Sequence, residues 1–301
     1  CLDARTSGDV VWPGRAYQRF KDAGQMTDRL GALQALIGAQ SPLADAALAR
    51  IRGSTAYEDL KAADLVISAV TADQTVSVAV ASAPTFRPGA WFLDFNSASP
   101  GAKIEAAGLI DGAGGRYVEG AVMTSVPPHR IRVPLLLGGT SAVELTPLLS
   151  RLGFAAKVAS AKLGVASATK MCRSVMIKGL EAMVIESFTT ARAYGVEDAV
   201  LASLKETFPG IDWEKQASYF FQRVIEHGRR RSEEVREVAE TVREAGLTPW
   251  SASGTAERQA WVADLADVGL FGPKGTKEFA RSADWRTEAD RILAMTTKDR
   301  T

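Results

Sequence analysis

A single lysine, Lys170, stands in the stretch GVASATKMCRS, Gly164 to Ser174, near the start of a proline-free run that continues to Tyr194 and stops at Gly195. The run is rich in Ala, Met, Leu and Glu and closes on a residue suited to the left-handed position that ends helices, so it predicts one helix of roughly thirty residues. A lysine turned inward on such a helix is costly to bury unless paired, and its pKa moves readily, as an acid/base lysine requires. The competing reading is a surface lysine that carries its ammonium to water on an apolar stem. Ser174 follows four residues later on the same helical face, with Arg173 beside it, so both members of the pair can reach one substrate. Lys178, two turns on, would bring a second positive charge to nearly the same face; a solvent or interface lysine is the alternative there.

The chain that must position these groups has 301 residues, 46% of them hydrophobic, enough for a real core and two domains. Its 36 basic and 35 acidic residues leave a net charge of +1, so no overall field draws nucleic acid or an anionic membrane, and a substrate anion must be held locally. Cys1 and Cys172 are the only cysteines, which is no disulfide framework, and a reducing cytoplasm is the simplest compartment. No apolar run approaches the ~20 residues of a spanning helix, and none follows a basic start, so a soluble protein is expected.

The first half alternates apolar strands with helical patterns, the signature of a parallel sheet covered by helices. Leu65 to Val70, Ala90 to Phe95, Arg116 to Val122 and Val133 to Leu137 read as strands, with helices such as Gln74 to Ser82 and Gly101 to Ala107 between them. From Ala161 the pattern is helical: the long segment, then Glu197 to Thr207, Trp213 to His227, Ser232 to Ala245 and Thr255 to Asp267. The expected domains are therefore 1–160, a dinucleotide-binding α/β sheet, and 161–301, all helical. The polar tail after Gly272 is expected to be loosely held.

The opening CLDAR reads as the end of a strand carrying Asp3, the position at which a dinucleotide-binding sheet hydrogen-bonds the adenosine ribose. A loop cap is the alternative. The preceding strand and its GxGxxG turn are not supplied by Gly8 to Gly14 or by Gly112, Gly114 and Gly115, so the first βα unit is missing and a coding region extending upstream of Cys1 is expected. Thr6 to Gly53 is longer than such a sheet needs at that point, and no chemical role emerges for it.

Together these segments, from Asp3 to about Glu240, resemble the β-hydroxyacid dehydrogenase superfamily, which includes 3-hydroxyisobutyrate dehydrogenase, tartronate semialdehyde reductase and 6-phosphogluconate dehydrogenase. The second half is most similar to the branch of 6-phosphogluconate dehydrogenase-like proteins with a C-terminal domain of uncharacterised function, above all at KMCRSVMIKGLEAMVIES, Lys170 to Ser187. The family motif, a glycine-rich entry followed by lysine and by asparagine four residues on, falls on Gly164, Lys170 and Ser174. The resemblance implies a Rossmann-type sheet, a homodimer built on the helical domain, and an NAD(P)-dependent oxidoreductase that interconverts a hydroxyl and a carbonyl on a small or medium hydroxy acid. Lys170 would protonate the carbonyl oxygen in reduction and take the hydroxyl proton in oxidation. Ser174 in place of asparagine leaves that chemistry intact and puts substrate identity in doubt.

The family's substrate loop aligns with Glu119 to Ser125, where Met123, Thr124 and Ser125 replace a serine and two glycines, which favours a bulkier or less polar substrate than a simple three-carbon acid. Carried-over cofactor contacts are Val70 and Thr71 at one strand end and Asn96 and Ser97 at the next. Asp3 favours NAD by repelling the extra phosphate of NADP, and Arg5 weakens that preference, so the cofactor is NAD or NADP. Arg173 and His227, the latter one turn beyond Arg223 and just before Arg229 to Arg231, could meet a substrate anion; a solvated charged face explains them equally well. His129 is expected to pack against the turn at Pro127 and Pro128. No metal site is expected. Two rival readings are imine reduction, which Lys170 argues against, and a catalytically silent dinucleotide-binding or scaffold protein, which the absent glycine turn favours.

Overall fold

The computed structural model describes residues 10–12, 51–54, 56–274, 276, 279 and 284–298. By contact the chain divides into two compact units, Cys1–Lys170 and Met171–Thr301, the division falling inside the long helix.

In the first unit β1 (Val10–Trp12) and β2 (Ile51–Gly53) form a parallel pair. The main sheet holds five strands in chain order: β3 (Leu65–Ser68), β4 (Trp91–Asp94), β5 (Arg116–Val122), β6 (Leu135–Gly138) and β7 (Ala156–Ser160). Side chains alternate across a strand, so neighbours on β4 and β5 feed different cores. Phe92 and Tyr117 pack with Ala79 of α1 (Thr75–Ser82) and with Ala106 and Ile110 of α2 (Pro100–Gly112). Leu93 and Val118 pack on the other face with Leu145 and Leu149 of α4 (Ala142–Arg151), which follows the short α3 (Val126–His129). Helices on both faces explain why Trp91–Asp94 is buried at every residue.

Three expectations need correction here. The sheet is mixed, because β6 runs antiparallel to β5 while β3, β4 and β5 are mutually parallel and β7 is parallel to β6. The link from Met123 to Pro134 holds only α3 and one 3-10 turn, too little for the crossover that parallel neighbours require. Second, β7 and α4 carry weak signals in the sequence: β7 alternates between half-buried and exposed residues, and Pro147 interrupts the pattern of α4. Third, the strands at Leu65, Ala90 and Val133 are shorter or shifted by a residue or two relative to their apolar runs.

The long helix α5 (Val165–Tyr194) begins in the first unit and continues through the second, which also holds α6 (Glu197–Thr207), α7 (Trp213–Glu244), α8 (Trp250–Asp267) and α9 (Trp285–Lys298). The two helices expected around Gly228 are one. Gly228 does not break α7; it lets α8 approach, since a Cβ there would lie 2.7 Å from the backbone oxygen of Gln259. Gly228→Ala should therefore lower stability by about 1–3 kcal/mol, the range for overpacking, outweighing the ~1 kcal/mol by which alanine favours a helix. A urea midpoint that fails to fall would contradict this. Within the tail, α9 is docked rather than loosely held: Trp285, Ala289 and Ile292 are buried in one cluster with Phe188, Phe221 and Trp213, and Trp285 Nε1 donates to Glu214 at 2.8 Å. Its apolar residues recur at helical spacing, a signal hidden by the polar stretch before them.

Candidate active site at the strand carboxyl ends

The turn after β4 is built from the inside outward. Asp94 is fully buried, and its Oδ1 meets Lys103 Nζ at 2.8 Å while its Oδ2 accepts the Tyr117 hydroxyl at 2.7 Å. Lys103 also donates to the Asp94 carbonyl at 3.0 Å. Burial and the adjacent Asp94 carboxylate push the Tyr117 hydroxyl pKa well above its ordinary value, so it stays a donor at any working pH. Asp94 Oδ1 accepts the Asn96 backbone N–H at 2.8 Å, and the Asn96 amide spans to the neighbouring strand, accepting from Val70 N–H at 2.7 Å and donating to Ser68 Oγ at 2.9 Å. Ser99 then caps α2 by accepting from Ala102 N–H, with Pro100 in the first turn.

Ser97 lies on this braced turn, and Lys170 Nζ donates to its Oγ at 2.6 Å. Lys170 is half-buried. Its position on α5 is set by Glu119 of β5, whose buried carboxylate accepts from the N–H groups of Ala166 at 3.1 Å and Ser167 at 3.3 Å and from the Ser167 hydroxyl at 2.7 Å. A carboxylate on the first free amides of a helix satisfies them and suits the positive end of the dipole. Gly138, opposite Glu119 on β6, leaves it room: a Cβ there would sit 2.2 Å from Glu119 Oε1. Lysine, serine and glutamate thus meet at the carboxyl ends of adjacent strands, where open α/β sheets bind ligands.

Val70 and Thr71 lie where expected, just past β3, leading into the 3-10 turn Ala72–Gln74. The Thr71 and Gln74 side chains hold the Asp73 carboxyl below its usual pKa by hydrogen bonding. Met123, Thr124 and Ser125 open the loop after β5; Met123 N–H bonds to Pro134 O at 3.0 Å, and Thr124 is exposed. His129 closes α3 and is exposed rather than packed against the turn. Asp3 and Arg5 lie outside the described residues. In the second unit Ser174 is buried and Arg173 exposed. Lys178 offers no spare charge, since it is buried and paired with Glu234 at 2.7 Å, and burial lowers its pKa. The arginines after His227 are also paired, Arg229 with Asp264 and Asp267, Arg230 with Glu234, and Arg231 with Glu181. Lys103 and Tyr117 are the structural members that sequence reasoning missed, and Glu119, read there as the start of the substrate loop, is the anchor of α5. For Lys103 a signal existed: with Ala106, Ala107 and Ile110 it occupies the i, i+3, i+4, i+7 stripe that α2 turns inward.

His227 has its pKa lowered, by burial first and then by Arg223, Arg230 and Arg231 against the opposing Glu226. The folded value lies below the unfolded one of about 6.5, so the unfolded chain binds more protons in that window. Stability from this group is present above pH 6.5 and is lost as pH falls through the folded value. His227→Gln should flatten the stability difference between pH 5 and pH 7 in urea titrations; an unchanged difference would contradict the assignment.

Among the described residues no group of three or more His, Cys, Asp or Glu is placed to hold a metal ion, and no helix is long and apolar enough to cross a membrane.

A family model described as a domain of unknown function (DUF1932) matches residues 191–262, and one described as ARM repeats of another domain of unknown function (DUF3458_C) matches residues 1–74. An uncharacterized 28.5 kDa protein in the 7S RNA 5′ region of Methanothermus fervidus is 30% identical over 197 residues, covering 64% of this chain and 74% of that protein. Among solved structures, a conserved hypothetical protein from Sinorhizobium meliloti 1021 is 34% identical, with 97% of this chain and 90% of that chain covered at a TM-score of 0.69. The conserved protein MTH1747, of unknown function and described as structurally similar to 3-hydroxyacid dehydrogenases, is 29% identical, with 77% and 87% covered at a TM-score of 0.58.

Proposed function

The chain belongs to the β-hydroxyacid dehydrogenase superfamily, and on that premise we propose that it is an NAD(P)-dependent oxidoreductase interconverting a hydroxyl and a carbonyl on a small or medium hydroxy acid, with Lys170 as general acid/base. The observation that carries this reading is the 2.6 Å bond from Lys170 Nζ to Ser97 Oγ, on a turn braced by buried charge at the strand ends. Ser97 accepts from the ammonium and keeps its own hydroxyl hydrogen for another acceptor, so it orients the lysine. In oxidation the neutral amine takes the hydroxyl proton; in reduction the ammonium returns it.

A nicotinamide dinucleotide, when bound, supplies the hydride acceptor or donor. The strand-end residues suit its nicotinamide end: Ala69, Val70, Thr71 and Ser97 are small or medium, uncharged and not fully buried, so the ledge they make carries no charge of its own beside the Lys170 ammonium. Asn96 supports that ledge from beneath, since both ends of its amide are bonded to its own chain. Val70, Thr71 and Ser97 would face the cofactor. Asp3 and Arg5 would act at its adenosine end, with NAD preferred. This reading assigns substrate contacts to Met123, Thr124 and Ser125 in the first unit and, each taken by itself, to Arg173, Ser174 and His227 in the second, in a cytoplasmic homodimer.

The test is a panel of hydroxy acids with NAD⁺ and NADP⁺, followed by formation of reduced nicotinamide. At least one pair should turn over. Absence of turnover across the panel with both cofactors would overturn the reading.

A further inference from the structure

We propose that the loop from Thr124 to Arg132 recognises a second anionic group, a carboxylate or phosphate, on the hydroxy acid; this rests on the oxidoreductase reading and narrows its substrate class. The chain has no acidic residue between Glu119 and Glu144, yet His129, Arg130 and Arg132 fall together within that interval. All three are exposed, and none of their side chains makes a hydrogen bond or ion pair with another described residue. Elsewhere in the unit Arg87, Lys103 and Arg116 are matched with Asp64, Asp94 and Glu144, while Lys61, Arg151, Lys157 and Lys162 have no side-chain partner among the described residues; what sets the loop apart is three such cations within four positions. Three unmatched donors on one short loop are a charge pattern that an anion completes, and a guanidinium fork suits both carboxylate and phosphate.

The backbone gives an independent reason. Arg130 has φ 52° and ψ −130°, and among the described residues it is the one non-glycine residue at positive φ. Glycine would hold that conformation without strain. An arginine there lowers stability and gains only its guanidinium, and strain of this kind collects at ligand clamps. The loop is held at its base rather than free, by Met123 N–H on Pro134 O at 3.0 Å and Val133 N–H on Arg130 O at 3.2 Å.

Its place in the fold fits a substrate that also reaches Lys170. Asp94, at the end of β4, pairs with Glu119 on β5, and β5 runs on to Val122 before the loop begins. Glu119 is also the residue that fixes the first turn of α5, one turn before Lys170. The lysine and the basic loop are thus both mounted on one strand end, so a bifunctional acid could place its hydroxyl carbon at the first and its remote charge at the second.

The test uses Arg130→Gly and Arg132→Gln, singly and together, in the full chain at low ionic strength, where exposed charges are least screened. Steady-state rates are compared for 2-hydroxybutyrate, malate and 3-phosphoglycerate, which share a 2-hydroxy carboxylate and differ in the remote group. The wild type should favour malate or 3-phosphoglycerate over 2-hydroxybutyrate by about tenfold or more in kcat/KM, and the better of the two identifies the anion. Arg130→Gly should raise KM for that substrate by about tenfold with kcat little changed, the mark of lost binding common to ground and transition states. It should leave KM for 2-hydroxybutyrate unaltered and raise the melting temperature. A preference for 2-hydroxybutyrate, or an equal effect of Arg130→Gly on all three, would overturn the proposal. If none of the three turns over, calorimetric titration with malonate and with inorganic phosphate separates the two readings. Weaker binding of either probe to Arg130→Gly than to wild type supports the loop whatever the reaction, and equal or no binding overturns it.

Discussion

Replacing Lys170 by methionine lowers kcat for hydroxy acid oxidation by about 10²- to 10⁴-fold, the range for removing a positioned general acid/base. Methionine keeps the length and apolar stem of the side chain, so the packing of α5 is retained and the loss falls on proton transfer. Steady-state kinetics should show it in kcat, with cofactor affinity preserved, because the cofactor ledge is braced from Asp94 and Asn96 rather than from the lysine. Ser97→Ala should cost less, since it removes the group that orients the amine and not the amine itself. A Lys170→Met enzyme with nearly normal kcat would leave the 2.6 Å contact to Ser97 as a structural bond only.

Lys103→Met is the largest stability effect expected. Lys103 and Asp94 are both buried at 1% side-chain exposure, so the variant strands a carboxylate in the core. Breaking a buried pair from one side costs about 3–5 kcal/mol, and for a protein of this size that lowers Tm by roughly 10 °C. The double variant Lys103→Met with Asp94→Asn removes both charges, leaves an oxygen for the Asn96 N–H, and should recover much of the loss. Thermal unfolding of the two side by side decides the matter: a single variant as stable as wild type, or a double variant no better than the single, would contradict the assigned pairing.

What could be read in the sequence follows the physics of each element. Ala90 to Phe95 was legible as a strand because both faces of β4 are buried and the apolar run is continuous. Arg116 to Val122 and Glu197 to Thr207 coincide with their elements for similar reasons, periodicity uninterrupted and ends marked by loop residues. The antiparallel turn of β6 was not legible, because strand direction depends on the length and content of a connection that contains a hidden short helix. Gly228 misled, since a glycine in a helix reads as a break until the neighbouring helix that requires it is known. Lys170 stood out by its place on an apolar helix. Its partner Ser97 lies 73 positions away, and Glu119, which fixes the turn before Lys170, lies 47 and 48 positions from the amides it binds. Lys178 had the right spacing for a second site cation, but its charge is taken up by Glu234 on a helix far along the chain.

The most direct measurement is the pH dependence of kcat in both directions for wild type and Lys170→Met on one accepted hydroxy acid. If Lys170 moves the proton, wild-type oxidation falls toward low pH, where the amine is protonated, and reduction falls toward high pH, where the ammonium is lost; Lys170→Met shows neither limb in its residual rate. Limbs of the same shape in Lys170→Met would mean that another group transfers the proton.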